Sequence, residues 1–183
     1  MQTPENEQDN ALLTAPLSQI IDHVIEKHHK FVYSQAESIE NLIQQLVSAN
    51  PDNKSVDELR LLNRTITSEL FDHMRKEEEV LFPAIISLER AAEIRKADGK
   101  LLPFKIANRL RLLILEDEGT GYLLRNLRQG LLTYQPSPQA ESIYKQLSDA
   151  IASFESDLKR HIYIENSILF PRAIEIEKAL LGD

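Results

Sequence analysis

From Ile143 to Ile168 the apolar residues step by threes and fours. Ile143, Leu147, Ile151, Phe154, Leu158 and Ile168 share one face with His161 and Glu165. That period marks an amphipathic helix, and here the core stripe carries two ionisable groups. The pattern returns in Leu59, Ile66, Leu70, His73 and Glu77, and again in Leu110, Leu113, Asp117, Leu124 and Leu131. Turn signals separate these stretches: Asn-Pro-Asp-Asn at 50–53, Ala-Asp-Gly at 97–99 with Pro103 beyond, and Pro-Ser-Pro at 136–138. The pattern predicts an all-α protein, an up-down-up-down four-helix bundle with helices over about 16–49, 55–94, 104–133 and 138–180. An extended or disordered segment over 1–15 precedes a single bundle domain over 16–183.

The bundle is built from a repeat. His-x-x-x-Glu-x-x-x-Leu-Phe-Pro occurs at His73 and again at His161, an offset of 88 residues that also pairs Glu77 with Glu165 and Pro83 with Pro171. The same offset pairs His29 with Asp117, and each of these lies 44 residues before its downstream histidine. Residues equidistant from a hairpin turn lie at one height, so His29, His73, Asp117 and His161 are expected in one layer across the bundle. Glu77 and Glu165 lie one turn further along helices that run in the same direction. Pro83 and Pro171 are expected to bend or break their helices just beyond that layer.

Composition narrows the chemistry. The 183 residues include no cysteine, which removes disulfides, thiolate nucleophiles and thiolate-held metals, so any metal must be held by imidazole and carboxylate. A formal net charge of −8 argues against nucleic acid as a partner. The first residues, MQTPENEQDN, hold no apolar run, which predicts a cytoplasmic protein without a membrane span.

Buried carboxylates without partners are costly, so something must compensate Glu77, Asp117 and Glu165. Two divalent cations would do so, with imidazoles as terminal ligands and the glutamates bridging. The competing expectation is a metal-free layer in which carboxylates bond to protonated histidines. A lone His-x-x-x-Glu is commonly a surface pair, but two copies on core stripes favour the metal. His28 fits an apolar stripe with Ile21, Ile25 and Val32, so periodicity alone does not reject it as the ligand, while the 44-residue spacing prefers His29. His23 reads either as a group supporting the ligands or as a surface residue, and Tyr33 as a packed aromatic or a hydrogen-bond donor into the site.

Three stretches, IIDHVIEKHHKF from Ile20, DHMRKEEEVLFP from Asp72 and HIYIENSILFPR from His161, resemble the hemerythrin HHE cation-binding family, within it the repair-of-iron-centres proteins. The resemblance covers nearly the whole chain and implies a hemerythrin-like bundle. It implies a di-iron centre on His29, His73, Glu77, His161 and Glu165, with Asp117 where such proteins usually carry histidine. Aspartate is harder and anionic, so manganese or zinc are alternatives to iron. With only about fifteen residues before the first expected helix, no counterpart of the cysteine-bearing N-terminal domain of many repair proteins is expected.

The resemblance further implies a role in recovery from nitric oxide or oxidative stress. The centre would meet a small diatomic ligand or peroxide, with possible redox activity toward it, and an iron-centre client protein is the implied partner. The rival expectations are a reversible oxygen- or nitric-oxide-binding module, which has too few histidines on the layer, and a bundle whose metal site has decayed.

Overall fold

The computed structural model describes residues 7–49, 54–95 and 106–181; within the helices, the side chains of 7–10, 95, 107–109, 111, 115, 117 and 118 lie outside that description. The short α1 spans Glu7–Thr14. Four long helices follow: α2 over 17–49, α3 over 54–95, α4 over Ala107–Thr133 and α5 over 141–181. They form a hemerythrin-like helical bundle, each within three residues of the boundaries that periodicity predicts. No described helix is long and apolar enough to cross a membrane.

Residues 7–14 differ from the extended or disordered lead-in expected from their polarity. They are helical because Leu12 packs among Leu17, Ile20 and Ile21, and Arg172 from α5 donates to the Leu12 carbonyl at 3.2 Å. Two carboxylates distant in sequence fix helix starts. Glu89 of α3 accepts the N–H groups of Leu17 and Ser18 at 2.5 and 3.0 Å, and Glu177 of α5 accepts that of Ile106 at 2.6 Å. A carboxylate at a helix N-terminus satisfies otherwise unpaired donors and meets the positive end of the helix dipole.

The apolar core falls into two clusters. One joins the second half of α2 and the first half of α3 to the later part of α4 and the start of α5, through Ile39, Ile66, Leu127 and Phe154. The other joins Ile20, Leu81, Leu110 and Phe170 at the opposite end. Between them lies the layer of ionisable groups. Among the described residues α2 packs closely on α5 and on α3, and α3 on α4, while a groove of about 760 Å³ opens along the α4–α5 seam beside Gly121, Arg125, Lys159 and Asn166.

Three of the long helices widen at this layer. α2 forms a π-turn over Val24–His29, α3 over Glu77–Leu81 and α5 over Glu165–Leu169. In each, an N–H reaches back five residues: Lys30 to Ile25, Phe82 to Glu77 and Phe170 to Glu165. Pro83 and Pro171 directly follow two of these turns. A proline ring collides with the carbonyl four residues back in a regular helix, and a wider turn moves that carbonyl aside. The prolines therefore do not break α3 and α5, which run on to Arg95 and Leu181. In α2 the wider turn reduces the angle between successive side chains, so the adjacent His28 and His29 are both buried.

Candidate metal centre

Three helices deliver the central groups. His29 comes from α2, His73 and Glu77 from α3, and His161 and Glu165 from α5, and all five are buried. One ligand atom from each of His29, Glu77, His161 and Glu165 lies within 4.8 Å of the others. His29 Nε2 is 3.4 Å from Glu77 Oε2 and 3.2 Å from His161 Nε2. His73 Nε2 is 3.2 Å from Glu77 Oε1, and His161 Nε2 is 3.0 Å from Glu165 Oε1. The Asp117 side chain lies outside the described residues, although its backbone belongs to α4.

The protonation pattern suits ligation. Burial pushes His161 down to about 3, with His29, His28 and His73 adding to the effect and Glu77 opposing it. His161 is thus neutral near pH 7 and keeps a lone pair. Burial alone would raise Glu77, but the imidazoles of His29 and His73 against its carboxylate, with His161 beyond, hold it down at about 2.

Carboxylates that the sequence did not single out orient the rings. His29 Nδ1 is 2.6 Å from Glu78 Oε1, and His73 Nδ1 is 3.2 Å from Glu116 Oε2, whose other oxygen takes Lys76 Nζ at 2.6 Å. A carboxylate on Nδ1 only accepts, so the proton sits there and Nε2 presents its lone pair inward. The available sequence signal was modest: Glu78 adjoins Glu77, and Glu116 adjoins the predicted layer residue 117.

This donor set fits a metal. Among the described residues the fully buried Glu77 carboxylate has the imidazoles of His29 and His73 at 3.4 and 3.2 Å but no well-directed hydrogen bond, and His29 Nε2 faces His161 Nε2 at 3.2 Å. A cation among these atoms would satisfy the carboxylate and replace the proton that the two nitrogens otherwise share.

The remaining candidates fall outside the cluster. His28 turns away and bonds Asp157 Oδ1 through Nδ1 at 2.9 Å. His23 is half-buried with its ring edge against His28, and burial followed by the charges of His28 and Lys27 lowers it. Tyr33 is 41% exposed and packs on Phe71, with ring centroids 4.7 Å apart. It is a packed aromatic with no described hydrogen bond into the site.

Comparison with known proteins agrees with this geometry. Residues 19–103 match the hemerythrin HHE cation binding domain, a fold unit whose name carries metal binding. The iron-sulfur cluster repair proteins YtfE of Citrobacter koseri and of Escherichia coli O81 (strain ED1a) are each 30% identical to this chain over 165 residues. The matched region is 88% of this chain and 68% of theirs, and the YtfE of Escherichia fergusonii matches to the same extent. On a family match that spans the first two long helices and a kinship that spans nearly all of the bundle, the chain belongs to the hemerythrin HHE family of cation-binding proteins.

Proposed function

We propose that this protein is a non-haem di-iron protein that acts in the repair of iron centres after nitric oxide or oxidative damage. The observation that carries the reading is the buried convergence of His29, Glu77, His161 and Glu165 within 4.8 Å in a chain related to iron-sulfur cluster repair proteins. His29, His73 and His161 would be the imidazole ligands, Glu77 and Glu165 the bridging carboxylates, and Asp117 the further ligand from α4. Manganese or zinc would compete for so oxygen-rich a set.

Bound iron would supply redox chemistry and a coordination position for nitric oxide, oxygen or peroxide. The chain's own contribution is to hold the ligands and keep water away. Glu78 and Glu116 keep His29 and His73 in the tautomers that offer Nε2. Leu81, Phe82, Ile168 and Phe170 pack one side of the layer, while Ile66, Leu70 and Met74 lie on the other. The α4–α5 groove, lined by Ile114, Leu124, Leu158 and Asn166, is the proposed approach for a small ligand. Iron handed on to a damaged client protein would be cargo rather than a resident cofactor.

The test is metal content after anaerobic ferrous loading of the chelator-treated protein. Two irons per chain, lost in the Glu77→Ala/Glu165→Ala double variant, support the assignment. Full iron in that variant overturns the ligand set. A wild-type chain that takes no metal, and whose melting temperature ignores chelator, would instead be a metal-free helical bundle.

A further inference from the structure

Two of the three central imidazoles have a carboxylate on Nδ1, and the third does not. His29 has Glu78 and His73 has Glu116, but the buried Nδ1 of His161 meets no hydrogen-bond partner among the described residues. Beside it lies a second unsatisfied imidazole nitrogen. His28 is 5% exposed, its Nδ1 is 2.9 Å from Asp157 Oδ1, and its buried Nε2 has no partner among the described residues. The rings of His28 and His161 are parallel to within 8°, with centroids 5.8 Å apart.

The two nitrogens have complementary requirements. A carboxylate can only accept, so with its Nδ1–H given to Asp157 the His28 ring shows a lone pair at Nε2. For His161 to ligate through Nε2, its own proton must sit on Nδ1, which makes that atom a donor. One buried donor and one buried acceptor then lie on neighbouring, parallel rings. Asp157 is one helical turn before His161 on α5, so the helix that carries the ligand also anchors its support.

We propose that His28, held by Asp157, is the positioning residue for His161. Its Nε2 takes the Nδ1–H of His161 through a single bridging water, and so selects the tautomer in which His161 offers Nε2 to a metal. Without that acceptor the competing tautomer gains weight, since His161 Nε2–H can donate to His29 Nε2 at 3.2 Å. His28 therefore biases the site toward a metal-ready state without being a ligand. A histidine–carboxylate pair does for His161 what Glu78 and Glu116 do singly for His29 and His73.

This inference rests on the reading of His161 as a ligand, and one experiment separates the two. Cobalt(II) is titrated into the metal-free full chain against a chromophoric chelator, with the cobalt d–d bands recorded, for wild type and three variants. His28→Phe keeps a ring of similar size and removes the acceptor. His28→Gln restores an acceptor oxygen. Asp157→Asn places an amide donor opposite Nδ1 and so reverses the polarity of the His28 ring.

Losing a group that orients a ligand typically costs 10–100-fold in metal affinity. His28→Phe and Asp157→Asn should each weaken cobalt binding by about that factor and alter the d–d bands, while His28→Gln recovers most of the affinity. Metal-free His28→Phe should melt below wild type, because Asp157 Oδ1 and His161 Nδ1 both lose the ring that joins them, so cobalt affinities are compared at a temperature where every variant is folded. If His28→Phe does not fold, Asp157→Asn carries the test. Unchanged affinity in both overturns the role of His28 alone. Equal loss in the Phe and Gln variants marks His28 as a direct ligand and also overturns it. A wild-type chain that binds no cobalt overturns the underlying ligand reading instead.

Discussion

The neutral, buried His161 makes the metal-free protein acid-sensitive in a defined window. Its folded value is about 3 against 6.5 for the free side chain. Above pH 6.5 both folded and unfolded chains leave this ring neutral, and it contributes no pH dependence. Below 6.5 the unfolded chain takes a proton that the folded chain refuses until about pH 3, so stability falls as pH falls. The slope is about 1.4 kcal/mol per pH unit, which amounts to about 3 kcal/mol between pH 7 and 4.5. For a chain of this size that corresponds to a melting temperature lower by roughly 5–10 °C.

Glu77 acts in the same direction but lower down. Its folded value of about 2 lies below 4.5, so its stabilising contribution is complete above pH 4.5 and fades only beneath it. Thermal unfolding of chelator-treated protein, followed by circular dichroism at half-unit steps from pH 7 to 4.5, therefore excludes Glu77, and comparison with a His161 variant subtracts His23, which is also lowered. The control is His161→Leu, which keeps an apolar side chain in the site and removes the titrating ring. Wild type should lose stability faster than the variant by the stated amount. Parallel pH profiles for the two proteins would refute the reasoning, since they would mean that His161 accepts its proton as easily folded as unfolded.

Two further expectations concern the scaffold. Gly119 and Gly130 both sit in α4, but a Cβ on Gly119 meets nothing within 4 Å whereas one on Gly130 lies 3.0 Å from Leu59 Cδ2. Gly119→Ala should thus gain about 1 kcal/mol and raise the melting temperature by roughly 2–4 °C, while Gly130→Ala should show no such gain because the buried Leu59 must shift. Glu177→Ala should cost about 1–3 kcal/mol by leaving the buried Ile106 N–H without its acceptor, with Glu177→Gln retaining most of the stability; equal melting of the Ala variant and wild type would dismiss the cap.

Much of this protein was legible before any coordinates. A helix repeats its surface every three to four residues, so the apolar stripes alone placed four long helices, and the 88-residue repeat placed His73, Glu77, His161 and Glu165 at matching positions. Equal distances from the turns put His29 at their height, because rise per residue is a local property of the chain. Apolar periodicity could not reject His28, although the 44-residue spacing favoured His29. The π-turn over Val24–His29 buries both rings and directs His29 into the cluster and His28 onto Asp157.

The partners Glu78, Glu116 and Asp157 were equally hidden. Each reaches a ring on another helix, and such contacts depend on how helices are rotated against one another, which no single period records. The carboxylate caps from Glu89 and Glu177 and the helical fold of Glu7–Thr14 are long-range contacts of the same kind. Sequence periodicity determined which residues face inward and at what height. Only the packed tertiary structure decided which atoms meet there, because hydrogen-bond direction is set by helix rotation and local widening.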